Sequence, residues 1–232
     1  MYLLDEAMHM EKIGLISTNL AEKIAMTVTE SPYRVTADII SETCGQSISH
    51  AGAWDLVQRL GERISAEEEH AVKQMEAGQA EGKKEIPVLF EEMDGVWLCM
   101  QGKDHKKQKK QELKEFTMYE GWEAGNKESR LVNKVMLAGM ESSSLFHEKR
   151  EALIEKTYNV DEIQQRVLNG DGGNWIREPY DPETIFQLDR FHIYQEIKRK
   201  LKEKEAQKAV TELFEAKQID QMLDTSGFMQ TV

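Results

Sequence analysis

Cysteine is nearly absent from this chain. Only Cys44 and Cys99 occur, in separate segments, which excludes a disulfide framework and a CxxC zinc knuckle and leaves two buried structural thiols as the reading. Long apolar runs are missing too. No stretch approaches the roughly 20 residues that span a bilayer, and the N-terminus lacks the basic flank and apolar core of a signal peptide, so a cytoplasmic protein without a membrane partner is expected. Internal repeats are not found. Positive charge is in deficit, 30 Lys and Arg against 42 Asp and Glu for a net charge of −12, which ordinarily speaks against nucleic acid as a partner. The deficit is uneven, however. Lysines gather between Lys103 and Lys114 and again between Lys198 and Lys208, whereas acids crowd Glu67 to Glu69 and Glu148 to Glu155. A local patch such as Lys106, Lys107, Lys109 and Lys110 can meet phosphates even on an acidic protein.

What is present is enough apolar content, 40% of 232 residues, for one large domain or two small ones. Residues 1–64 have helical periodicity, broken at Ser31-Pro32. Two short helices follow in tight succession, roughly Arg34 to Thr43 and from Ser49 onward, with Cys44-Gly45 as the turn and Trp54, Leu56, Val57 and Leu60 as apolar residues of the second. The pattern reads as a helix-turn-helix in which Ser49 caps the second helix and His50, Ala51, Gln58 and Arg59 face DNA. An ordinary helical hairpin fits the same pattern. Residues 65–85 are polar, a helix tail and a linker.

Beyond the linker the periodicity changes to short strands. Ile86 to Met100 opens on a proline and is apolar enough to be buried on both faces. Strands at about Leu113–Tyr119 and Arg130–Ala138 complete an antiparallel meander. Ser142-Ser143-Ser144 caps a helix that buries Leu145, Phe146, Ala152, Leu153 and Ile154 and turns Glu148-Lys149-Arg150-Glu151 to water. Strands at Gln165–Asn169 and Thr184–Leu188 come next, and then one helix from Arg190 to about Leu223 with Ile193, Ile197, Leu201, Val210, Leu213 and Phe214 as its stripe.

Asp94 places a charge in the middle of the first strand. A carboxylate at Asp94 in a buried strand needs a counter-charge, and a bound cation supplies one. Asp171 lies at the end of a later strand between Gly170 and Gly172-Gly173, which permit a sharp turn and close approach of a ligand; shaping that turn is its alternative role. Three strands, a helix and two strands is the order of a ribonuclease H-like fold, in which the fourth strand lies parallel to the first. That layout brings Asp94 beside Asp171, where two carboxylates can hold two divalent ions about 4 Å apart for phosphoryl transfer. Oxygen ligands favour Mg²⁺ or Mn²⁺ over Zn²⁺. Asp189 then opens a helix as its cap, with His192 one turn on.

Six blocks, Tyr2-Leu-Leu-Asp-Glu-Ala, Ser49-His50, Met93-Asp-Gly-Val-Trp97, Tyr119-Glu-Gly-Trp122, Asn169-Gly-Asp-Gly-Gly-Asn-Trp175 and Phe186-Gln-Leu-Asp-Arg-Phe-His192, resemble in order bacterial insertion-sequence transposases of the Lre type, a group long carried as an uncharacterised protein family. These are similar to Mutator-like transposases. The resemblance implies an α/β, ribonuclease H-like core (residues 86–192) behind an all-α DNA-binding region, with a helical insertion beginning in residues 193–232. It implies Asp94 and Asp171 as catalytic metal ligands, Asp189 with His192 as a signature pair, Mg²⁺ or Mn²⁺ as cofactor and transposon-end DNA as partner; homo-oligomers are left open. The third acid, a Glu, falls after the insertion and so past Val232, and neither Glu183 nor Asp220 has its context. The expectation is therefore a transposase fragment, inactive alone. The alternatives are a non-catalytic DNA-binding protein that uses the helix-turn-helix and a remnant without DNA affinity.

Overall fold

The computed structural model describes residues 12–13, 16–125, 129–177 and 181–226. The block at Tyr2 to Ala7 lies outside them. The chain divides into two units, Met1–Gln74 and Met75–Val232.

In the first unit, a two-residue strand pair, Lys12–Ile13 with Ile16–Ser17, precedes helix α1, Thr18–Glu30. Ser17 Oγ accepts from Leu20 N–H at 3.4 Å and caps it. Helix α2, Tyr33–Cys44, starts behind Pro32, whose fixed φ suits the entry, and stops at Gly45, which takes a left-handed φ of 63°. Helix α3 spans His50–Glu76, so the stretch expected to be a linker from residue 65 is helical for half its length. Ala21 and Ile24 of α1, Ile40 of α2, and Ala53 and Leu56 of α3 form one shared core. Trp54 does not join it. With Ala53 and Leu56 turned inward, Trp54 falls on the outer face and is 52% exposed.

The second unit is built on a five-stranded sheet: β1 Val88–Cys99, β2 Lys110–Tyr119, β3 Val135–Gly139, β4 Gln165–Gly170 and β5 Thr184–Leu188, in the spatial order β3-β2-β1-β4-β5. The β1–β2 and β2–β3 pairs are antiparallel, and the β1–β4 and β4–β5 pairs are parallel. The expected third strand is split. Ser129–Leu131 pairs with Trp122–Ala124 in a hairpin, Asn133 turns with φ of 52°, and only then does β3 begin.

Strand β1 alternates instead of being buried on both faces. Leu89, Glu91 and Met93 point into a core completed by Phe116, Met118, Leu137 and Leu168 with Phe146 and Ile154 of helix α4, Ser143–Thr157. Past Met93 the strand leaves this cover, and Asp94, Val96 and Trp97 are exposed. Two readings of buried groups therefore change. Cys99, at the open end, is exposed, and Cys44 is half-buried. The acid inside the sheet is Glu91, 1% exposed. Its partner Arg150 is buried on α4 instead of facing water, whereas Leu145 is 39% exposed.

The C-terminal helix is three helices, α5 Arg190–Lys200, α6 Lys204–Glu215 and α7 Ile219–Ser226. The Gln207 amide donates to Leu201 O at 2.7 Å across the first break, and Lys217 sits at φ of 59° in the second. No helix among the described residues is long and apolar enough to cross a membrane.

Candidate metal centre

Parallel pairing of β1 with β4 decides the geometry. Its register sets Met93 opposite Gly170, so the next residue of each strand, Asp94 and Asp171, emerges at the same edge. One ligand atom each of Asp94, Asp171 and His192 lie within 4.8 Å of one another. They line a cleft of about 230 Å³ with Glu92, Glu115, Thr117, Asn169 and Asp189.

Local hydrogen bonds aim the ligands. Asp94 Oδ1 accepts from Gly95 N–H at 2.7 Å, and Asp171 Oδ1 accepts from Gly173 N–H at 2.7 Å. The turn-shaping role of Asp171 is thus real and occupies one oxygen only. Gly172 has φ of 84°, a conformation that other residues resist. Gly170 is close-packed: a Cβ there would lie 3.0 Å from Ile176 and 3.2 Å from Met93 O.

Asp189 caps α5 by accepting from Phe191 N–H at 3.2 Å, and its other oxygen lies 3.0 Å from His192 Nδ1. The pair therefore acts as a unit. Asp189 fixes the imidazole through Nδ1 and leaves Nε2 without that bond, the arrangement in which a carboxylate orients a metal-binding histidine. Asp189 itself stands outside the three-residue cluster.

Beyond the acids, β1 and β2 continue together as a two-stranded arm. Val96 pairs with Leu113 and Cys99 with Lys110, and a short helix, Gly102–Lys107, closes the end. Cys99 lies ~17 Å along the strand from Asp94. Lys106, Lys109 and Lys110 are exposed on this arm; the side chain of Lys107 lies outside what the structure describes. Lys106, Lys109 and Lys110 thus lie on the extension of these strands past the edge where Asp94 emerges.

In the helical unit, Ser49 Oγ accepts from Gly52 N–H at 3.0 Å, as a cap should. His50, Gln58 and Arg59 are exposed along α3, and Arg59 is engaged by Asp55 at 2.9 Å. Trp54 shares the face of His50 and Gln58 at helical spacing, whereas Arg59 falls on the side of Asp55. Sequence patterning assigned Trp54 to the core and passed over Glu115 and Glu92 entirely. Only the cross-strand register, Asp94 opposite Glu115, brings Glu115 to the cleft.

Fold and site together define an α/β protein that presents two carboxylates and an oriented imidazole where two parallel strands end. The chain belongs to the family described as "Uncharacterised protein family (UPF0236)", whose model matches residues 1–221. It is similar to the UPF0236 protein in the vanSb 3' region of Streptococcus gallolyticus, 24% identical over 234 residues, covering 96% of this chain and 49% of that protein. A UPF0236 protein of Caldanaerobacter subterraneus subsp. tengcongensis, whose name joins eleven locus designations, is 24% identical over 196 residues, 83% of this chain and 38% of that protein. The chain spans about half or less of the length of these curated relatives.

Proposed function

We propose that the chain is the DNA-binding and metal-binding part of a transposase that cleaves and joins DNA strands, with a ribonuclease H-like core. The observation that carries this reading is the convergence of Asp94, Asp171 and His192 within 4.8 Å. The strand order β3-β2-β1-β4-β5, with its antiparallel and parallel halves, supports the choice of fold. A relative whose name joins eleven loci of one genome fits a sequence that multiplies by moving.

The donor set fits a hard divalent cation. Two carboxylates suit Mg²⁺ or Mn²⁺, and the imidazole of His192 shifts the preference toward Mn²⁺, which accepts nitrogen more readily. Bound there, such an ion supplies Lewis-acid activation of an attacking water or 3′ hydroxyl and offsets charge on the phosphate. The chain's own residues do the rest. Asp94 and Asp171 hold the ion with the oxygens left free by their turn hydrogen bonds, and Asp189 keeps His192 in its ligating orientation. Exposed acids at an open cleft leave a phosphodiester room to approach. Lys106, Lys109 and Lys110 on the arm attract its neighbouring phosphates, and α3 offers His50, Trp54 and Gln58 to a groove.

Mn²⁺ titration decides the catalytic half of the proposal. Wild type takes up Mn²⁺, and Asp171→Asn weakens uptake by more than tenfold while keeping the Gly173 hydrogen bond through its amide oxygen. Any nicking of plasmid DNA that wild type performs with Mn²⁺ is lost in the same variant. A chain that takes up no Mn²⁺ yet shifts DNA in a gel would be a DNA-binding protein without catalysis.

A further inference from the structure

We infer that Glu115 is the third carboxylate of the centre, supplied across the sheet from β2. The inference rests on the metal-binding reading above and adds to it a ligand from an element not assigned to the site. Glu115 is the direct cross-strand partner of Asp94, so both side chains leave the same face with Cβ atoms about 5 Å apart. Glu115 lines the cleft but stands outside the three residues that converge within 4.8 Å; glutamate is one methylene longer than aspartate, and a change of rotamer brings its carboxylate toward them.

The other acids of the cleft each have a hydrogen-bond partner on at least one oxygen. Glu92 Oε1 accepts from the Tyr119 hydroxyl at 2.9 Å, and Asp189 is held by Phe191 N–H and His192. Glu115 has no hydrogen bond or ion pair among the described residues. Its neighbour on the far side, across β3, is Ala138. The row across the sheet therefore runs Ala138, Glu115, Asp94 and ends beside Asp171, with no cation among the described residues on that row.

Like charges directly opposite each other on a sheet destabilise it. Lys114 does not offset the pair, because it points to the other face, where it donates to Glu141 O at 2.8 Å. Glu115 is half-buried, so water screens it only in part. A cation shared by Asp94 and Glu115 turns this repulsion into attraction. Glu115 is then a ligand that the chain carries within its own sheet, without recourse to a residue beyond its C-terminal helices.

Protein labelled with ¹³C at the glutamate side-chain carboxyl, loaded with Mn²⁺ and read by electron–nuclear double resonance, tests the assignment. A ligating glutamate gives a ¹³C hyperfine coupling to the metal. The expected result is a coupling in wild type that Glu115→Gln abolishes and Glu92→Gln leaves in place, with Mn²⁺ affinity down at least tenfold in Glu115→Gln. Without metal, Glu115→Gln raises Tm, because one of two facing charges is gone, and the further rise on adding Mn²⁺ shrinks. If Glu115→Gln does not fold by circular dichroism, Glu115→Thr, at home in a strand, takes its place. A coupling that is absent or survives in Glu115→Gln, while Asp171→Asn still abolishes Mn²⁺ uptake, overturns the role of Glu115 and leaves the centre standing. Wild type without Mn²⁺ uptake overturns both.

Discussion

Glu91 keeps a charge inside the sheet because two guanidinium groups close around it. Arg150 donates to Oε2 from Nε and Nη2 at 2.9 and 2.6 Å, and Arg166 donates to Oε1 and Oε2 at 2.6 and 3.0 Å. Arg166 also grips both oxygens of Glu151 at 3.0 Å. Burial is the largest influence on Glu151 and alone would raise its pKa, but the Arg166 hydrogen bonds together with the nearby charges of Arg150, Arg166 and His147 outweigh it and hold the carboxyl below its ordinary range. Removing one partner of such a pair strands the others, at a cost of about 3–5 kcal/mol. Glu91→Gln should therefore lower the urea midpoint of the second unit by that equivalent. Pairing it with Arg150→Met should restore part of the loss, since fewer charges then remain buried. His147, on the same helix, is a second buried titratable group. Burial depresses its pKa below 6.5, outweighing the opposing hydrogen bond to Trp175 O. As pH falls below 6.5 the unfolded chain takes up a proton that the folded chain refuses, so stability declines from there down to the folded pKa. Thermal melts should show this decline with a slope of at most about 1.4 kcal/mol per pH unit, and His147→Gln should remove that share of it.

At the level of elements, legibility followed locality. The Ser49 and Ser142 caps and the Gly45 stop were readable because each is decided within one helical turn, and the structure has Ser142 Oγ accepting from Leu145 N–H. Asp94 and Asp171 were readable as neighbours because strand order alone brings their strand ends together. Elements decided at a distance were not. Nothing in Lys200-Leu-Lys-Glu203 marks a stop, since it has neither Gly nor Pro; the break is held by the Gln207 amide from the next helix. Arg150 looked like part of a solvated face because its partner, Glu91, sits in a strand far upstream. Burial of β1 on both faces was inferred from its composition, but what covers a strand is tertiary: α4 masks Leu89 to Met93 and nothing described masks Val96 or Trp97. Glu115 escaped notice for a related reason, as register is invisible until β1 and β2 are paired.

For the whole molecule the question is how a chain with net charge −12 would hold DNA. Its acids lie partly in the cleft, where a divalent cation of the kind proposed would offset them, and partly in pairs such as Glu91 and Glu151 with Arg166. Lys106, Lys109 and Lys110 of the β1–β2 arm do not line the cleft, and α3 adds polar and aromatic groups, not net positive charge. Phosphate contacts and base contacts should therefore separate by unit. Each phosphate neutralised contributes about −0.9 to the slope of log K against log salt. Mobility-shift titrations from 50 to 200 mM salt should then give a steep slope for wild type. Replacing Lys106, Lys109 and Lys110 by Ser should flatten it by up to about 2.7, with little change in preference between sequences. Gln58→Ala should do the reverse, leaving the slope and narrowing the preference for the best site by about 1–3 kcal/mol. Equal effects of both variants on the slope would mean that α3 meets phosphates as the arm does, and the division of labour between the two units would fall. A slope near zero in wild type would remove phosphate contacts from the account, because each phosphate neutralised releases the counterions that the slope counts.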